Sequence, residues 1–71
     1  MKKIAVITST QKQFKEFLKS WVDYKDFDKF IFVNDVEKVY GLELCEVIRV
    51  GRYYELCDHS IIYEACLTRI R

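Results

Sequence analysis

The sequence predicts an α/β fold: a minimal three-stranded parallel sheet of order 2-1-3, with the elements in the order β-α-β-(short α)-β-α. Three observations lead there. First, Ile4-Ala5-Val6-Ile7 ends abruptly in Thr8-Ser9-Thr10, and an amphipathic stretch follows with Phe14, Phe17, Leu18, Trp21 and Val22 at i, i+3, i+4, i+7 and i+8. Second, the junction recurs: Phe30-Ile31-Phe32-Val33 runs into Asn34-Asp35, with Val36, Val39 and Tyr40 behind them. Third, about 20 residues separate the first two apolar runs, which is room for the helix that a parallel crossover needs. Right-handed crossovers then make 2-1-3 the simplest order, with strand 1 in the centre. An all-antiparallel α+β arrangement is the competitor.

Each element has a local reason. Residues 3–8 form the first strand, apolar on both faces as a central parallel strand should be. Thr10 and Gln13 make a T-x-x-Q capping box. The helix they open runs to about residue 24, burying Phe14, Phe17, Leu18, Trp21 and Val22 and wetting Lys12, Lys15, Glu16 and Lys19. Asp23, Lys25, Asp26 and Asp28 mark a polar connection. Residues 29–33, aromatic and β-branched, form the second strand. Asp35 caps a short helical turn over 36–40, which Gly41 ends in the left-handed region. Residues 44–50 form a third strand, interrupted by Glu46 and Arg49 and so suited to a sheet edge. Gly51 ends it and a loop covers 52–57. Asp58 or Ser60 caps a closing helix to about residue 70, with Ile61, Ile62, Ala65, Cys66 and Ile70 as its apolar contacts. This plan is Rossmann-like.

Seventy-one residues make one domain. Hydrophobic residues are 51% and aromatic residues 15% of the chain, which argues for a packed core and against disorder. Rings left outside would offer adhesive area to a partner. The net charge of +1 gives no general attraction to nucleic acid or to a membrane surface. Its distribution is uneven. Residues 1–20 carry five lysines against Glu16, a net of +4, and residues 21–46 carry seven acids against three lysines, a net of −4. Two solvated faces are the plain reading; a homodimer or a docked polar partner is the functional one. The cysteines, Cys45, Cys57 and Cys66, are odd in number, and Met1-Lys2-Lys3 precedes only four apolar residues, too few for a signal peptide. The expected setting is a reducing cytoplasm with free thiols, and no apolar run is long enough to cross a membrane.

Strands lying parallel bring their polar tips to one rim, where open α/β sheets bind ligands. Tip one offers Thr8, Ser9 and Thr10 beside the free amides of the first helix, an anion cradle. Tip two offers Asn34 and Asp35, tip three Arg52, Tyr53 and Tyr54. Together they suit a nucleotide, with the phosphate on the helix terminus, the base on tyrosine and the ribose at Asp35. The plain reading is that Thr8–Thr10 and Asp35 cap helices and the tyrosines pack. No G-x-G-x-x-G or Walker lysine motif is present, and no cofactor is expected. His59, between Asp58 and Ser60 and near Cys57, lacks the spacing for a defined catalytic pair. Cys45, Cys57, His59 and Cys66 lack the short knuckle of a zinc site, so no metal is expected and Cys45 and Cys66 read as buried small hydrophobes. Lys12, Lys15 and Lys19, with Lys2, Lys3, Arg69 and Arg71, are the basic residues a weak nucleic-acid binder would use, against too small a positive excess.

Two resemblances accompany these residues. Ile4 to Leu18, then Ile31-Phe32-Val33-Asn34-Asp35 through Gly41-Leu42 to Val47-Ile48-Arg49-Val50, is similar in topology to the second RecA-like domain of superfamily-2 helicases. Tyr40 stands where those helicases place an arginine, so the resemblance implies a fold and not an ATPase. Gly41-Leu42, Val47, Val50 and Gly51, followed by Tyr53, Tyr54 and Asp58, resembles a pattern in small uncharacterised proteins of tailed bacteriophages. That resemblance implies a phage accessory protein at work in the cytoplasm of a bacterial host. With no catalytic set, the expected role is a non-catalytic binding module for a host protein. Nucleotide or phosphate capture at the strand tips is the alternative and weak nucleic-acid binding the third reading.

Overall fold

The computed structural model describes residues 2–70. Five elements make the scaffold: β1 (Lys3–Ile7), α1 (Gln11–Trp21), β2 (Phe30–Val33), β3 (Leu44–Arg49) and α2 (His59–Leu67). Short 3-10 turns occupy Tyr24–Lys29, Val36–Val39 and Tyr53–Glu55. The sheet has the order β2-β1-β3, and β1 runs parallel to both neighbours. The parallel expectation therefore holds over the antiparallel one, in loose agreement with a Rossmann-like plan.

Alternation along the strands divides the apolar residues between two faces. Ala5, Ile7 and Val33 point to one face, where Val39, Leu44, Ile62 and Cys66 join them in a fully buried cluster. Helix α2 packs on this face through Ile62 and Cys66, with Tyr63 and Ala65 against the cluster. Val6 points to the other face, on the side of Phe30 and Phe32. Helix α1 covers it through rings: Phe14 meets Phe32 at 5.5 Å between centroids, and Phe17 meets Phe30 at 6.0 Å. Leu18 is the buried residue of that helix.

Several boundaries and burials differ from expectation. Helix α1 ends at Trp21, where Val22 turns extended, rather than near residue 24. Trp21 is 80% exposed instead of buried. Its helical position carries it to the sheet's starting rim, beside Ile4 and Phe30, where no further strand lies beneath it. The connection at 23–28 is a 3-10 run, with Lys29 paired to Asp26 at 3.1 Å. Cys45 is exposed, not buried. Lys3 pairs with Leu44 and Ile4 with Glu46, so Cys45 is the extra residue of a β-bulge. In α2, Ile62 and Cys66 face the sheet while Ile61, a third of a turn away, is 62% exposed. That helix ends at Leu67; Ile70 instead forms a parallel bridge with Leu44, whose N–H donates to the Arg69 carbonyl at 3.1 Å. Gly41 ends its turn at φ +80, as expected.

Two tests follow from the packing. Ile62→Ala should lower stability by about 2–5 kcal/mol in urea unfolding, while its neighbour Ile61→Ala should stay within about 0.5 kcal/mol. Burial raises the Cys66 thiol from 9.0 to about 11. The unfolded chain therefore loses this proton before the folded one does, and stability should fall as pH rises from about 9 toward about 11. Cys66→Ala, compared with the parent across that range, should flatten this part of the pH–stability curve.

Candidate functional site

The tips of β1 and β3 meet around one side chain, Gln13. Thr8 is fully buried, and its hydroxyl donates to Gln13 Oε1 at 2.9 Å. The Arg52 backbone N–H donates to the same oxygen at 2.7 Å. Gln13 Nε2 donates to Ser9 Oγ at 3.0 Å, and Ser9 Oγ donates to Glu55 Oε1 at 3.2 Å. Thr10 Oγ1 accepts the Gln13 backbone N–H at 3.3 Å, so half of the expected capping box forms. The other half does not: the Gln13 amide is drawn between the β1 and β3 tips, where it satisfies the buried Thr8 hydroxyl and the Arg52 backbone donor.

Gly51 makes this closure sterically feasible. It has φ +58, and a Cβ there would lie 2.4 Å from Gln13 Oε1 and 3.2 Å from Thr8 Oγ1. Only glycine accepts both the conformation and the contact. Val50 N–H donates to the Ile7 carbonyl at 3.0 Å and Thr8 N–H to the Val33 carbonyl at 3.4 Å, which fastens β1 to both neighbours just above the sheet.

The predicted site residues thus fall into groups. Thr8, Ser9, Thr10 and Arg52 are brought together around Gln13. Donors that an anion would use, the Thr8 hydroxyl and the Arg52 N–H, are spent on Gln13. Asp35 accepts the Glu37 N–H at 3.2 Å and caps the Val36–Val39 turn. Asn34 and Asp35 sit at the β2 tip, separated from the β3 tip by β1, roughly 10 Å of sheet. Tyr53 packs with the buried cluster, its ring 5.5 Å from His59 and 5.3 Å from the Arg49 guanidinium. Tyr54 is 64% exposed, its ring edge-on to Tyr53 at 5.9 Å between centroids. Arg52 extends its guanidinium to Glu55 at 3.7 Å on the surface.

Other candidates are placed as plainly. Cys57 is exposed and Cys66 buried, and among the described residues no three His, Cys, Asp or Glu side chains converge as a metal site would require. His59 Nδ1 is buried with no hydrogen-bond partner among the described residues, its ring against Tyr53. Lys12, Lys15 and Lys19 are exposed on α1, and Lys3 Nζ turns to the Asp28 carbonyl. Arg71 lies outside the described residues. No helix among those residues is long and apolar enough to cross a membrane.

Two open clefts flank the end of α1, and neither was legible from strand-tip reasoning. The larger, 670 Å³, runs between α1 and the corner at residues 50–52, with Lys12, Glu16, Phe17, Trp21, Val50 and Arg52 among its walls. The smaller, 340 Å³, lies at the starting rim of the sheet and includes Ile4, Asp23, Asp26 and Phe30. Trp21 forms part of both walls. Beyond it Tyr24 is 87% exposed, tilted against Phe27 at 5.6 Å. The helical period alone places Trp21 in the buried stripe; the helix end at Trp21 leaves its ring over the rim instead.

No protein-family model, no curated protein and no solved structure matches the chain.

The Gln13 cluster generates a coupled test. Gln13→Ala should cost about 1–3 kcal/mol, because it strands the Thr8 hydroxyl and the Arg52 N–H. Gly51→Ala should also destabilise, through its positive φ and its contact with Gln13. In the double variant the contact is gone, so urea unfolding should show a combined cost below the sum of the two by roughly 0.5 kcal/mol or more.

Proposed function

We propose that this protein is a non-catalytic binding module that docks another protein through the end of α1. The observation that carries the reading is Trp21, which stands 80% exposed between two clefts. Large exposed aromatic residues beside concave surface are the usual anchors of protein interfaces, where they bury much area at little cost in side-chain freedom. Tyr24 extends the same surface. Charge favours a protein over a polyanion as the occupant: Lys12 and Arg52 stand on one side of Trp21, but Asp23 and Asp26 stand on the other. A phosphate backbone laid across the patch would meet both signs, whereas a protein surface can answer both.

The resemblance to tailed-phage proteins supports a bacterial-host protein as that partner, met in the host cytoplasm. The alternative, a nucleotide or phosphate at the strand tips, draws support from the gathering of Thr8, Ser9, Thr10 and Arg52 in one cluster. It requires Gln13 to give up its bonds to the incoming anion.

Trp21→Ala should leave the unfolding midpoint nearly unchanged, since the ring lies outside the core, yet remove partners recovered by affinity capture from a bacterial lysate. Identical recovery with the parent and the variant would sink the docking reading. A nucleotide panel in a thermal-shift assay separates the alternative: a ligand at 100 times its dissociation constant stabilises by about 2.7 kcal/mol, and docking through Trp21 predicts no such response.

A further inference from the structure

We propose that the groove between α1 and the corner at residues 50–52 receives an acidic peptide segment of the partner, with a large apolar side chain set against Phe17 and Trp21. This rests on the reading of Trp21 as a docking residue and adds the chemistry of what docks. The first observation is charge. Lys12 and Arg52 border the groove, and Lys15 and Lys19 continue the basic side of the same helix. Lys12, Lys15 and Lys19 enter no ion pair among the described residues. Among the described residues the Arg52 guanidinium pairs with Glu55 at 3.7 Å, an exposed pair that an incoming carboxylate can replace at little cost. Glu16 is the one acid among the lining residues.

The second observation is shape. The groove has 670 Å³ of space, with Phe17 half-buried at its base and Trp21 at its end. Its two walls are fastened to one another: the Arg52 N–H donates to Gln13 of α1 at 2.7 Å, and Gly51 sits flush against the same side chain. A groove already fixed in the free protein loses little freedom when a segment enters, so its contacts convert more fully into affinity. Carboxylates answer Lys12 and Arg52 at the border, and an apolar side chain covers Phe17 and Trp21. Nucleic acid carries its negative charge as an unbroken phosphate chain that would cross Glu16 and Asp23, whereas a peptide can place its carboxylates at Lys12 and Arg52 and neutral residues beside those acids.

Trp21 is the single tryptophan of the chain and lines both clefts, so its emission reports on the end of α1, and the Lys12 and Arg52 variants assign a change to this groove. The full chain is titrated with the copolymer poly(Glu,Tyr), with poly(Lys,Tyr) and with oligo(dT). The expected result is a blue shift of Trp21 emission with poly(Glu,Tyr) only, weakened about tenfold or more by salt and by Lys12→Glu/Arg52→Glu. Lys12→Gln/Arg52→Gln, which changes charge less, should weaken it by a smaller factor. No shift with poly(Glu,Tyr), a shift unchanged in both double variants, or a stronger response to oligo(dT) overturns the proposal. If Trp21→Ala still abolishes partner capture in that case, the docking reading stands and only the acidic segment falls.

Discussion

Ala5, Val6 and Ile7 of β1 are completely withdrawn from water, and successive strand residues point to opposite sides of a sheet. A strand apolar on both faces is stable only when cover lies above and below it. The rest of the architecture answers that requirement. β2 and β3 take the two hydrogen-bonding sides of β1, α1 takes one face, and α2 with the Val36–Val39 turn takes the other. In a chain of this size no spare element remains to finish either layer.

The two layers are built from different materials, and this decides where rings stay exposed. Under α2, Ile62 and Cys66 join a buried cluster whose other members are aliphatic. Under α1, Phe14, Phe17, Phe30 and Phe32 hold helix and sheet apart by the width of their rings. A single helix of 11 residues cannot roof three strands at that standoff. The space left on the β3 side is the larger cleft, and the ring left at the helix end is Trp21. Both are products of covering a wide aromatic face with one short helix.

The fold was largely legible in the chain because two junctions of apolar run and polar tip, spaced for a crossover helix, admit few arrangements. Gly41, the edge position of β3 and the capping by Thr10 and Asp35 were legible for similarly local reasons. What failed to read depended on contacts distant in sequence. Gln13 looked like a capping partner because its neighbour relation to Thr10 is local, whereas its bond to Arg52 spans 39 positions. Trp21 fitted the buried stripe by period, and only the length of the strands beneath shows that the stripe overruns the sheet. Cys45 alternated correctly for burial until the bulge displaced it. At the strand tips, Thr8, Ser9 and Arg52 gather around Gln13, while Tyr53 packs inward, Tyr54 stays exposed and Asp35 caps the Val36–Val39 turn.

The bulge at Cys45 has an effect on how the molecule keeps company with copies of itself. A straight outer strand presents evenly spaced amides and carbonyls on which another chain can template itself, layer upon layer. Here the row on β3 is broken at Cys45 and closed at Leu44 by the bridge to Ile70. An arriving strand would have to match an irregular ladder there, which disfavours edge-to-edge stacking on β3.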